Sequence, residues 1–149
     1  MPVPEANLYD GQRSIVLDGS GRFRIERSSN DPLEIMVYRT GYEGIKALRI
    51  NVGENRVIMR RILSVELFNV RLRIAVGDRH SISGRVVFDT GETMTTMTRL
   101  DVWSTNPNVL KAATTNEMYQ AGVAPGTAGL AGGYYSVQAA MVQVEVFKP

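Results

Sequence analysis

The stretch Val70-Arg71-Leu72-Arg73-Ile74-Ala75-Val76, followed by Gly77-Asp78-Arg79 and then His80-Ser81-Ile82-Ser83-Gly84-Arg85-Val86-Val87-Phe88, decides the fold. Val70, Leu72, Ile74 and Val76 recur at every second position and put Arg71 and Arg73 together on the opposite face. That period belongs to a half-buried strand, not a helix. Gly77 supplies the tight turn, and Ile82, Val86, Val87 and Phe88 make the returning strand. Gly84 interrupts it, which marks a bulge or a close backbone approach.

The same pattern extends outward in both directions. Upstream, Val57, Ile58, Met59, Ile62, Leu63, Val65, Leu67 and Phe68 form the most apolar run; β-branched enrichment favours strands, with a helix over Ile62 to Phe68 left open. Leu33, Ile35 and Val37 line one face, Leu48, Ile50 and Val52 another, and the short loop between them predicts adjacent strands. Arg13 to Asp18 and Arg22 to Glu26 read as a hairpin around Asp18-Gly19-Ser20-Gly21. Downstream, Asp89-Thr90-Gly91-Glu92 turns the chain into a threonine-rich strand ending at Trp103, and Val142, Val144 and Val146 alternate in a final strand. About eight or nine strands with turns every eight to twelve residues predict an all-β fold: an antiparallel β-sandwich of jelly-roll type, with a β-barrel as the alternative.

With 149 residues and 44% apolar side chains, the sequence predicts one β domain over 13–149 behind an extended N-terminal segment, 1–12. There is no cysteine, which removes disulfide scaffolds, thiolate catalysis and zinc ribbons. The N-terminus carries no basic and apolar leader pattern, and no apolar run approaches the roughly 20 residues of a membrane helix. The expectation is a soluble chain that binds no membrane.

Residues 104–133 break the pattern. They are crowded with Ala, Gly, Thr, Asn and Pro, with Tyr119 their single aromatic. Helical turns are conceivable at 109–113 or 116–120, but the run Ala121 to Gly133 reads as neither helix nor strand. The segment is therefore expected to be a long irregular small-residue loop or arm, removable over Ala121 to Gly133 without loss of the fold.

No constellation for chemistry stands out. His80 is the only histidine, so neither a histidine metal site nor a Ser-His-Asp triad with a nucleophile elbow can be assembled. The glycine clusters lack the spacing of phosphate-binding loops, and the acids lack that of a calcium loop. No catalytic residue, metal or cofactor is assigned. What remains is contact surface. Arg56, Arg60, Arg61, Arg71, Arg73, Arg79 and Arg85 face only Glu66 and Asp78 within 56–85, a local charge of +5 in a chain of net +2. Arginine outnumbers lysine fourteen to three, and its planar fork suits interfaces. The candidate partner-binding residues are Arg56, Arg60, Arg61, Arg71, Arg73, Trp103, Tyr119, Leu130, Tyr134 and Tyr135. Such a face suits protein contacts or, as alternatives, nucleic acid through the arginines or carbohydrate through Trp103, Tyr134 and Tyr135.

In its compact β region from Arg13 to Trp103, its arm-like Ser104 to Gly133 and its lack of cysteine or signal peptide, the chain resembles small virion structural proteins of tailed bacteriophages, of the capsid decoration or head-to-tail kind. That resemblance implies a non-enzymatic homo-oligomer that binds a major capsid or portal protein. It would sit in a virion assembled in the host cytoplasm, or be cytoplasmic.

Overall fold

A computed structural model describes residues 6–12, 14–17, 22–26 and 30–149 of the chain. It divides into two compact units, Met1–Arg61 and Ile62–Pro149. The hairpin turn expected at 18–21 lies outside the described residues, as do residues 1–5 of the expected lead-in.

Unit 1 is a four-stranded antiparallel sheet of order β2-β1-β3-β4, with β1 at Asn7–Tyr9, β2 at Ser14–Val16, β3 at Leu33–Tyr38 and β4 at Ile45–Ile50. The adjacent pair expected from residues 33–52 is β3 with β4, in register at Glu34↔Arg49 and Leu33↔Ile50. Within the expected lead-in, Asn7–Tyr9 belong to this sheet. β1 pairs with β2 on one side and β3 on the other, and Ala6 and Leu8 are buried with Ile35 and Val37. Phe23, Ile25, Val57 and Met59 pack on the same cluster from segments that are not strands.

Unit 2 holds the remaining strands: β5 Ile62–Phe68, β6 Arg73–Ala75, β7 Arg79–Ser81, β8 Ser83–Phe88, β9 Thr93–Thr96, β10 Asp101–Ser104, β11 Leu110–Thr114, β12 Met118–Gly122, β13 Gly126–Tyr134, β14 Val137–Gln138 and β15 Val142–Phe147. β7 and β8 are one strand line divided at Ile82, whose amide donates to the Met118 carbonyl. The line lies between β5 on one side and β12, then β9, on the other; β11 is the outer neighbour of β12. The second sheet has the order β10-β13-β15-β6, and β14 pairs with β13. Every pair is antiparallel except β15 with β6, which is parallel at Glu145↔Arg73, Val146↔Ile74 and Phe147↔Ala75. The all-β sandwich holds, and its strand order is that of the immunoglobulin type, in which the first strand leaves one sheet and continues on the other beside the last. Between the sheets lie Val65, Ile74, Ile82, Val86, Phe88, Leu100, Leu110, Met118, Leu130, Val144 and Val146.

The irregular arm expected at 104–133 is corrected. Those residues supply β11, β12 and β13, and β13 is an inner strand between β10 and β15. Removing Ala121 to Gly133 would therefore take out the middle of a sheet. Small residues are there because the space a Cβ would take is occupied, by side chains at Gly129 and by backbone at Gly133. A Cβ on Gly129 would lie 2.6 Å from Met141 Sδ and 3.0 Å from Thr105 Cγ2, and one on Gly133 would lie 2.9 Å from the Val137 carbonyl oxygen. Glycine in a strand marks such approaches, and tertiary packing overrides its poor strand propensity. Gly84 is explained the same way: a Cβ there would run into the Leu100 side chain and lie 3.1 Å from the Glu66 carbonyl oxygen. The register shift of this sheet falls instead between Ile62 and Ser64.

Candidate functional site

Alternation on a strand places residues i and i+2 on one face. Three strands of unit 2 use this in the same way. Glu66-Leu67-Phe68 on β5, Glu117-Met118-Tyr119 at the start of β12 and Glu145-Val146-Phe147 on β15 each present an acid and, two residues on, a ring. Each is met by an arginine from a neighbouring strand. The Arg85 guanidinium donates to Glu66 at 2.8 Å and lies 5.0 Å from the Phe68 ring centroid. Arg79 reaches Glu117 at 3.4 Å and lies 3.7 Å from the Tyr119 centroid. Arg73 donates to Glu145 at 3.0 Å and lies 4.5 Å from the Phe147 centroid. A planar guanidinium can satisfy a carboxylate with its edge while its face rests on a ring, which an ammonium cannot do. This is the structural use of arginine in place of lysine.

These pairs change the meaning of the basic stretch. In unit 1, Arg60 donates from Nε and one terminal nitrogen to Glu43 at 3.1 and 2.7 Å, in the least exposed of these ion pairs. Arg60, Arg73, Arg79 and Arg85 thus each meet a glutamate, and Glu43, Glu117 and Glu145 come from outside the 56–85 window. Counting charge along the sequence missed them because strand pairing brings acids from distant segments. Arg61 is exposed and bridged through its backbone to Tyr42. Arg56 and Arg71 are exposed, one on each unit.

The other predicted contact residues separate sharply. Leu130 is 0% and Tyr119 4% exposed, so neither is offered to a partner: Leu130 points between the sheets, and Tyr119 is covered by Arg79. Both were expected on a solvent-facing arm, and they are buried because that arm is sheet. Trp103 is 39% exposed on the edge strand β10, opposite Ala131. Beside it on the outer face, Met141, 53% exposed, and Thr105 close over Gly129. Tyr134 is half-buried and packs edge-on against Tyr135, with centroids 4.8 Å apart; Tyr135 is exposed at the hairpin tip with φ of 51°.

Two polar residues tie the first strand down: Gln120, which the sequence did not single out, and His80, to which it gave no role. Gln120 is 0% exposed, and its amide grips the backbone of Arg71 from both sides: Oε1 accepts the Arg71 N–H at 2.7 Å and Nε2 donates to the Arg71 carbonyl at 3.1 Å. His80 Nε2 lies 2.7 Å from the carbonyl oxygen of Asn69, which has φ of 56° where the chain passes from β5 to β6. For Gln120 the only available signal was a glutamine in an otherwise small and apolar run.

Ser81 Oγ donates to Glu117 at 2.7 Å, and this bond, with Arg79, holds the Glu117 carboxyl below its ordinary value of 4.5 against the opposing effect of desolvation. A depressed carboxylate stabilises the fold fully above its unfolded value and loses that contribution as pH falls through the folded value. Glu117→Gln, which keeps an acceptor for Ser81 but removes the charge, is therefore expected to lower Tm modestly at pH 7, to flatten the fall in Tm between roughly pH 5 and pH 3, and to melt close to the parent at the acid end. Thermal melts of both proteins across that range check it; an unchanged acid limb refutes the role. Among the described residues no group of three His, Cys, Asp or Glu side chains is placed to hold a metal ion.

The sequence matches no family model and no curated protein. Among solved structures the chain is similar to the surface layer protein SbsC. Its domains 1–6 align at a TM-score of 0.50 and 13% identity over 97% of this chain and 20% of that one. Its domains 4 and 5 align at 0.49 and 14% over 77% and 65%, and rSbsC(31–844) at 0.49 and 14% over 96% and 20%. This chain thus spans a fifth of the longer structures and just under two thirds of the shorter one. At such identity the likeness concerns the fold alone.

Proposed function

We propose that the chain is a non-enzymatic structural protein, a link in a repetitive assembly. The observation that carries this reading is the direction of its terminal strands. In unit 2, β6 continues β5 and runs parallel to β15, so the chain comes in at one pole of the sandwich and leaves at the other. A module of that kind spans distance along a chain, and the fold likeness to a surface layer protein supports the same class of role. Trp103 and Met141 on the outer sheet face supply apolar contact area for neighbours.

The narrower reading is a homo-oligomeric virion component, of the capsid decoration or head-to-tail kind, that binds a major capsid or portal protein. What supports it is the overall character of the sequence. A second reading, carbohydrate binding, is favoured by the exposure of Trp103 and Tyr135. Native mass spectrometry with electron microscopy of the full chain at high concentration tests the proposal. A defined homo-oligomer or ordered layer is expected. A strict monomer that also fails to bind any particle overturns it, and saturable binding on a glycan array would establish the second reading in its place.

A further inference from the structure

We infer that unit 2 is built to carry tension along its chain, with β6 and β15 as the load-bearing pair. The inference rests on the structural reading above and deepens it. Tension pulls β5 and β6 toward the pole where Ile62 lies and β15 toward the opposite pole, so the parallel pair is loaded along its strands. In that geometry the inter-strand bonds bear force together and must break together. Were the same strands pulled apart from one end, the bonds would fail one after another.

The segment that takes the load is laced along its length to four other strands. Glu66 is held by Arg85 of β8 at 2.8 Å. The Asn69 carbonyl is held by His80 of β7 at 2.7 Å. Arg71 is gripped at both backbone groups by Gln120 of β12 at 2.7 and 3.1 Å. The Leu72 carbonyl accepts from the Glu145 amide at 2.8 Å, and the Val76 amide donates to the Phe147 carbonyl at 2.9 Å. Arg73 then clamps β15 through Glu145 and the Phe147 ring. The place where β5 passes into β6 would otherwise be the weak point under load, since regular pairing is interrupted there. It is there that two side chains, His80 and Gln120, bind the backbone of the passing segment. Forced unfolding is governed by the unfolding barrier and not by equilibrium stability. Lacing of this kind raises the barrier for one direction of pull.

The test is single-molecule force spectroscopy on the full chain between flanking reference domains. Unit 2 events are recognised by the length of chain released, roughly 300 Å at up to about 3.6 Å per residue. Pulled through its two ends, unit 2 is expected to unfold at more than twice the force needed when the load is applied between the C-terminus and Asp78→Cys. Both of those points lie at the pole where β6 and β15 end, and the chain has no other cysteine. The exposed substitution Arg73→Ala is expected to lower the end-to-end force and to leave the Asp78→Cys force unchanged. Equal forces in the two geometries, or an end-to-end force indifferent to Arg73→Ala, would overturn the inference. Neither outcome touches assembly, which mass spectrometry and imaging read independently: a weak clamp in an assembling protein sinks only the mechanical role, and a strong clamp in a strict monomer sinks only the structural one.

Discussion

Gly122→Ala is expected to destabilise unit 2 by about 3 kcal/mol, at the upper end of overpacking costs, although glycine to alanine inside a strand ordinarily gains roughly 0.5–1 kcal/mol. Gly122 closes β12 where three backbones meet. Its amide donates to the Asp78 carbonyl and its carbonyl accepts from Gly77, both at 3.0 Å, and it bridges Val76 in parallel. A Cβ here would drive into the Ala75 carbonyl oxygen and stand 2.9 Å from its carbon and 3.1 Å from Val146 Cγ1. These are main-chain and core atoms that cannot step aside. Gly129→Ala is the internal control: its obstacle is the exposed, flexible Met141 side chain, and its cost is expected to stay under about 1 kcal/mol. Urea unfolding at constant m-value measures both. A neutral or stabilising Gly122→Ala would show that the apposition of β12 and the end of β6 is wrong.

Gln120→Leu is expected to cost about 2–3 kcal/mol, a fall in Tm of roughly 10–20 °C for a unit of this size. Leucine matches the volume and suits the apolar surroundings of Gln120, so packing alone predicts a mild effect. It leaves the Arg71 N–H and carbonyl without their partners, and an orphaned backbone group carries its desolvation penalty. Gln120→Glu separates the two causes, since a carboxylate can still accept from the amide but cannot donate to the carbonyl, and brings a charge into the core. It is expected to be at least as damaging as leucine at pH 7 and less so at pH 4. Thermal melts at the two pH values read this. Should Gln120→Leu melt with the parent, the passage from β5 to β6 is held by other contacts.

How much was legible follows from what each feature depends on. The strand character of Leu33 to Tyr38, Leu48 to Ile50, Arg73 to Ala75 and Val142 to Phe147 was written in alternation, a local property that survives without knowledge of partners, while that of Ile62 to Phe68 rested on β-branched enrichment. The same rule failed on residues 104–133, because Gly132 and Gly133 lie close against other backbone and Gly129 lies under the Met141 and Thr105 side chains, and local propensity carries no record of such neighbours. The candidate site divided the same way. Trp103 and Tyr135 are exposed, while Leu130 and Tyr119 are buried along with the segment that carries them.

By itself, then, the sequence determined that this chain folds as β-sheet without disulfides, that its alternating strands bury one face, and that arginine is its main cation. Periodicity and composition suffice for these, since both act within a few residues. Only the tertiary structure decided which glutamate each arginine meets, that a glycine-rich run is an inner strand, and that β6 and β15 lie side by side in parallel. Such pairings join residues up to 72 positions apart, and they are fixed by the joint packing of two sheets, which no local stretch of sequence encodes.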